Sequence, residues 1–311
     1  MTKSVSRGPD LLHGPVFSNM TRFFLPIMLG SLLQQLYSMV DAVVLGRLVG
    51  KTALAAVGGS DLVIINLVVG FFVGLSSGAC VVVSQHYGAG EGDMVRKSVH
   101  TAILFSVVIG AVMTALGILM ARPVLVLLDP PADTLADSII YLQWYFAGMI
   151  PSMVYNMGAG ILRAVGDSKR PLYFLIVASI VNIVLDIVLV AVIPLGVAGA
   201  AIATVASQVV SAVLTVRCIH GSQGMPWHLQ LKNIRIERSV LLAICRIGLP
   251  GAAQSALYSI SNMTIQSAIN GFGTVAVAAW SVYGKIDFLF WMTVSSFGTV
   301  SYTHLRAHET L

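Results

Sequence analysis

Apolar runs and short polar breaks alternate along nearly the whole chain. A helix crossing a hydrocarbon layer about 30 Å thick needs about 20 mostly apolar residues. Eight runs meet that length, at roughly 22–45, 53–84, 98–120, 137–157, 171–193, 197–217, 243–269 and 274–300. The second is long enough to include a bent or interfacial part. Glycine and proline inside such runs are tolerated, because neighbouring helices can re-satisfy the backbone. The pattern predicts an all-α polytopic membrane protein.

The polar breaks orient the spans. With the start of the chain inside, Lys3, Arg7, Arg22, Arg96, Lys97, Arg163, Lys169, Arg170, Arg217, Lys232, Arg235, Arg238 and Arg246 fall on the cytoplasmic side, thirteen in all. Only Arg47, Lys51 and Arg122 fall on the other, while Lys285 and Arg306 sit in the last span and the tail. Basic residues concentrate in cytoplasmic loops, so the asymmetry predicts a cytoplasmic N-terminus. The longest break, 218–242, lies inside and reads as a linker between two halves.

Composition narrows the class. Charged residues make up 10% and hydrophobic residues 57%, with a mean hydropathy of +0.87. A soluble domain carries about 25% charge, so this chain could not cover a soluble surface. The excess of 18 basic over 13 acidic residues needs no nucleic acid, since no basic cluster is interleaved with aromatics. Cys80, Cys218 and Cys245 lie in or beside apolar runs and read as buried thiols. The seven histidines show no ligand spacing. The first run, about 23 residues long, suits a spanning helix better than a cleavable signal.

Two features stand out against this background. The first is a repeat. Leu25-Pro26 recurs as Leu249-Pro250, and Gly50–Ala56 recurs as Gly273–Ala279, at offsets of 224 and 223 residues. Six spans separate the copies, so both point the same way. Such a parallel repeat is the mark of a two-lobe transporter. The second is a pair of aspartates inside apolar spans, Asp41 and Asp186. A carboxylate at membrane depth costs at least ~2.5 kcal/mol and usually marks an ion path, a proton relay or transport; the plainer reading is a hydrogen-bonded packing residue. At 1.5 Å per residue, Asp41 lies ~6 Å, Asp186 ~12 Å and Thr204 ~10 Å below the outer surface. Tyr37 shares a helix face with Asp41, and Asn182 shares one with Asp186. Spans one, five and six can therefore present two carboxylates, an amide and two hydroxyls at one depth. Oxygen donors suit a sodium ion or a shared proton. Neighbouring carboxylates cannot both ionise cheaply, and a bound cation or proton relieves the repulsion.

Three segments carry a resemblance to a known family: LPIMLGSLLQQLYSMVDAVVLGRLVGKTALAAVG at 25–58, SQHYGAGEGD at 84–93 and GILRAVGDSKRP at 160–171. In this order and spacing the chain resembles the multidrug and toxic compound extrusion (MATE) transporters, from about Gly14 to Val300. The resemblance implies twelve helices in two six-helix lobes around a cavity open alternately to each side. It implies a multi-pass protein of the bacterial cytoplasmic membrane, monomeric when full length. Such a protein exports drugs and other small amphipathic or cationic compounds against an inward flow of protons or sodium ions, with no other cofactor. In the branch with an aspartate pair in the first lobe, the positions matching Asp41, Asn182, Asp186 and Thr204 form the cation site. Tyr37 and Asn156 match polar lining positions. Pro26 matches a proline where the first helix bends; the alternative is a tolerated kink. Gln34, Gln35 and Asn66 either line the cavity or join helices. Lys285 and Asp287, two residues apart, point to different faces, and one or both reach the central cavity. The 166–171 turn serves topology and binds nothing.

The chain departs from the family after Val300, where the text becomes SYTHLRAHETL. A truncated reading frame is expected, with 301–311 unrelated to the fold; the plainer alternative is an unusual cytoplasmic end. The domains expected are a first lobe over 1–217, the linker 218–242 and the start of a second lobe over 243–300, comprising helix seven and most of helix eight. Alone, such a chain is expected not to transport. Two rival readings remain. A lipid or glycan-lipid flippase of related build would show a more cationic cavity. An intramembrane enzyme using paired aspartates would add a loop motif at its active site, and none is visible.

Overall fold

The computed structural model describes residues 16–50, 53, 56–57, 60–127 and 134–270, with six isolated positions between Tyr283 and Val294. The described elements are helical. They are α1 (Val16–Leu48), α2 (Ser60–Gly88), α3 (Gly92–Leu127), α4 (Leu135–Ala147), α5 (Met149–Ala164), α6 (Lys169–Asp186), α7 (Gly196–His220) and α8 (Arg238–Asn270). A π-helical segment, Ile187–Val192, continues α6, and a single 3₁₀ turn, Leu231–Asn233, lies between α7 and α8. Among the described residues, six helices are long and apolar enough to cross a membrane by length and composition. With no water in the bilayer core, helices that satisfy their own backbone are the available solution.

Four features differ from the expected spans. The fourth span is two helices, bent at Gly148 (φ −80°, ψ 2°), and it extends from Leu135 to Ala164. There the Gly148 N–H is shared between the carbonyls of Trp144 and Tyr145, at 3.2 and 3.1 Å. The Thr114 hydroxyl of α3 donates to the nearby Phe146 carbonyl at 2.8 Å. The third span is longer than expected, with 36 residues and a length of ~54 Å. It must therefore extend past the hydrocarbon layer. The fifth span changes from α to π immediately after Asp186. The 218–242 stretch includes the last turn of α7 and the start of α8, leaving 221–237 between them. Span eight and residues 301–311 lie largely or wholly outside the described residues.

Turn chemistry places the connections. Gly90 (φ 74°) and Gly166 (φ 88°) take up left-handed backbone that a side chain would strain. After Gly166, the Asp167 carboxylate accepts the Arg170 N–H at 3.1 Å, satisfying a free donor at the start of α6. The Arg170 guanidinium pairs with Asp167 at 3.1 Å and reaches the Cys218 sulfur at 3.5 Å, tying the start of α6 to the end of α7.

Between apolar helices in lipid, close packing replaces the hydrophobic drive of water. Leu75, Leu125, Leu142, Met149 and Met153 interlock α2, α3, α4 and α5. Leu45, Val190, Val197 and Ala200 join α1, the π segment and α7. The chief neighbour of α8 is α2. A Cβ on Gly74 would come within 2.4 Å of the Ala252 nitrogen, and one on Gly78 within 2.6 Å of the Ile244 carbonyl. The two backbones touch because those positions, and Gly248 opposite them, carry no side chain. Pro26 and Pro250 each sit inside the first half of a 33-residue helix, so the sequence repeat has a structural counterpart.

Candidate functional site

Three helices present polar residues at the same helical spacing. On α1 they are Gln34, Tyr37 and Asp41. On α6 they are Ser179, Asn182 and Asp186. On α7 they are Thr204, Ser207 and Ser211, with Gln208 beside them. Intervals of three and four residues stack side chains along one face. α6 packs against both α1 and α7, so the three polar stripes meet within the bundle.

At one end of these stripes stand the two aspartates. Asp186 and Asn182 have no exposed surface, and Thr204 and Asp41 retain 8% and 9%. The Asp41 and Asp186 carboxyls lie within hydrogen-bond reach of each other. Two carboxylates cannot satisfy one another, since neither has a donor when ionised. No protein hydrogen bond reaches Asp41 Oδ1, either oxygen of Asp186, or either polar atom of the Asn182 side chain. Buried polar atoms are nearly always paired; here four oxygens lack a donor or a cation, and the Asn182 amide N–H groups lack an acceptor. The Thr204 hydroxyl donates to the Ala200 carbonyl at 3.0 Å, which leaves its oxygen lone pairs as acceptors or ligands. The oxygens come from two carboxylates, an amide and a hydroxyl, a set whose chemistry suits a hard monovalent cation or a proton.

Farther along the stripes, toward the end opposite the α6–α7 connection, lies a cavity of about 40 Å³, enough for water. Gln34, Tyr37, Asn156, Ser179, Ser207 and Gln208 are among its lining residues. Tyr37 stands near Gln34, Asp41 and Tyr155. Asn156 donates to the Ser152 carbonyl at 2.9 Å, and Tyr155 to the Pro171 carbonyl at 3.3 Å. The Ser179 hydroxyl and the Gln208 carbonyl oxygen are buried without a partner.

The structure thus brings Asp41 and Asp186 together, with Asn182 one turn from Asp186 and Tyr37 one turn from Asp41. It places Gln34, Tyr37 and Asn156 on one cavity. Asn66 is exposed on α2 and is not among the residues lining this cavity. Gln35 is likewise exposed. Pro26 is partly buried in an α1 assigned as one continuous helix. Asp287 accepts a hydrogen bond from Tyr283 at 3.2 Å, one turn earlier. Lys285 lies outside the described residues. Sequence reasoning missed Ser152, Tyr155, Ser179, Ser207, Gln208 and Ser211. The signal that could have found Ser179 is its spacing to Asn182 and Asp186.

Comparison with known proteins agrees with this architecture. Probable multidrug resistance protein YoeA of Bacillus subtilis (strain 168) is 29% identical over 289 residues, covering 91% of this chain and 62% of that protein. The FAD transporter of Shewanella oneidensis is 25% identical over 291 residues, covering 89% of this chain and 62% of that protein. The chain therefore spans less than two thirds of the length of these relatives. Among solved structures, an outward-facing multidrug resistance MATE family transporter of the MOP superfamily superposes with a TM-score of 0.90 at 24% identity, over 99% of this chain and 68% of the other. A MOP superfamily transporter from Pyrococcus furiosus gives 0.88 at 25% identity, again over 99% and 68%. The MatE family model itself matches residues 26–188, the stretch that contains both aspartates. This multi-pass membrane chain belongs to the MatE family of transporters.

Proposed function

We propose that the protein, at the full length of its relatives, is an antiporter of the inner membrane. It exports small amphipathic or cationic compounds by alternating access, coupled to protons or sodium ions at Asp41, Asn182, Asp186 and Thr204. One observation carries the reading: two buried carboxylates face each other across the α1–α6 contact with no protein donor between them. A proton or sodium ion on the pair holds α1 against α6. Its release leaves two facing anions, whose repulsion favours parting the two helices. The contact thus has two states that differ in charge, as coupling of a cation to a conformational change requires. The relatives named for multidrug resistance and export support small organic compounds as cargo. The charge asymmetry of the loops supports a cytoplasmic N-terminus.

The test is Asp41→Asn in a full-length version, assayed for export from drug-sensitive cells over a range of pH and sodium concentration. Near-complete loss of coupled export, with normal amounts of protein in the membrane, is expected. Unchanged export with unchanged pH and sodium dependence removes the pair from the mechanism.

A further inference from the structure

The segment between α7 and α8 is a strap bound down on the end of α2 and α3. Leu229 is completely buried in an apolar cluster with Val99, Ile161, Ile219 and Ile244. Trp227 meets Tyr87 edge to face, with ring centroids 5.6 Å apart. His220 at the end of α7 bonds through Nδ1 with the Leu229 carbonyl at 2.7 Å, and its ring stacks on His228. Two residues of α3 grip the strap backbone. The Thr101 hydroxyl oxygen accepts the Glu237 N–H at 3.0 Å and donates to the Arg235 carbonyl at 3.5 Å. His100 Nε2 accepts the Gln230 N–H at 2.9 Å, while its Nδ1 lies 2.7 Å from the Arg96 carbonyl.

The His100 contacts allow one protonation state. A carbonyl can only accept, so Nδ1 carries a hydrogen. A backbone N–H can only donate, so Nε2 must be bare. Both ring nitrogens are therefore committed in the neutral form. A second proton would set an Nε2–H head-on against the Gln230 N–H, in a side chain that is 95% buried. The ionisable groups on the surrounding elements are Asp93, Arg96 and Lys97 on α3, His86, Tyr87 and Glu91 around the α2–α3 turn, Arg163 on α5, Arg217 and His220 on α7, and Arg246 on α8. The strap adds His228, Lys232, Arg235 and Glu237, and α8 begins with Arg238. Among the described residues, no carboxylate lies within ion-pair distance of the His100 ring: Glu91 pairs with His86, and Asp93 with Arg96 and Lys97.

We infer that His100 is a proton-sensitive latch, holding the strap when neutral and releasing it when protonated. By the loop charges, this face is cytoplasmic. The strap is the covalent connection from α7 to α8, and α8 rests on α2. Acid on this face would therefore free the segment that joins the first six spans to the next. This inference stands on different residues from the coupling site and survives the failure of that reading.

Hydrogen exchange of the Gln230–Glu237 amides tests it. The 311-residue chain in lipid nanodiscs is measured from about pH 7.5 to about pH 5.5, the range in which imidazole ordinarily changes charge, after correction for intrinsic exchange rates. Opening linked to one proton should raise strap exchange by up to about tenfold per pH unit on the acid side. His100→Gln can offer an amide oxygen to the Gln230 N–H without titrating, so its strap should stay protected throughout. His100→Ala should exchange fast at every pH. His220→Gln and His228→Gln should keep the wild-type acid response. A strap equally protected at both ends of the range in the wild-type chain overturns the inference. So does an acid response that persists in His100→Gln or disappears with His220→Gln or His228→Gln.

Discussion

Asp186 sits among buried polar atoms that have no protein partner. Asn182, one turn back on α6, has both polar atoms unpaired, and Asp41 approaches from α1. Breaking a buried charge pair is usually costly, but here the charges are alike, and removing one relieves repulsion. Purified Asp186→Asn should therefore melt no lower than wild type when sodium is absent and pH is high. Wild type should gain several degrees on acidification or sodium addition, and Asp186→Asn should not. Thermal melting followed by size-exclusion recovery reads both; an equal gain in the two proteins argues against ligation at this pair. The aspartates were legible in the sequence because a carboxylate inside an apolar span is conspicuous. Ser179, Ser207 and Gln208 were not. Small polar side chains in membrane helices commonly bond their own backbone, as Ser207 does to the Thr204 carbonyl at 2.7 Å. Only the packing of α6 and α7 shows which of them reach the cavity.

Among the helices, contacts are governed by what is missing from side chains. Gly74 and Gly78 let α8 rest on the backbone of α2. Gly74→Leu would push into the main chain at Gly251 and Ala252, where no rotamer change gives relief. It should weaken α8 docking by at least ~1–3 kcal/mol, the usual range for overpacking. Faster tryptic cleavage after Arg235 and Arg238, with little change in the α1–α7 bundle, is the expected result. Gly199 plays a similar part for the π segment, since a Cβ there would lie 2.9 Å from the Leu189 carbonyl oxygen. Single π turns inside helices often mark functional sites, and this one begins where Asp186 ends. Gly199→Val should shift that turn and lower sodium- or proton-dependent stabilisation while leaving the strap protected. Exchange in 186–193, compared with exchange in 230–237, checks it. Neither the π turn nor the bend at Gly148 was readable beforehand, because runs such as IVLVAV suit α and π geometry equally.

For the whole molecule, orientation and connectivity matter most. The thirteen-to-three distribution of basic residues predicts that Lys97 and Arg122, at opposite ends of α3, face opposite sides. Single cysteines placed there in a chain whose native cysteines are replaced should label differently in intact cells. Position 122 should react with a membrane-impermeant maleimide from outside, and position 97 only after permeabilisation. The reverse pattern would invert the topology and move the strap to the outer face. The strap also changes how the long polar break reads. In sequence it is a hydrophilic linker, but in the structure Leu229, Trp227 and Ile234 seat it in the apolar cluster of the bundle end.

Length and hydropathy were enough to determine an all-α membrane protein and to single out the two aspartates inside its apolar spans. Those properties are local: the bilayer imposes span length, and a charge within a span is costly wherever its neighbours lie. The meeting of Asp41 with Asp186, the cavity along the three polar stripes, the backbone contact of α2 with α8 and the capture of the strap by His100 and Thr101 were decided by the tertiary structure. Each depends on the rotation and separation of helices far apart in sequence. A hydropathy pattern records how apolar each residue is, and carries no term for which faces come together.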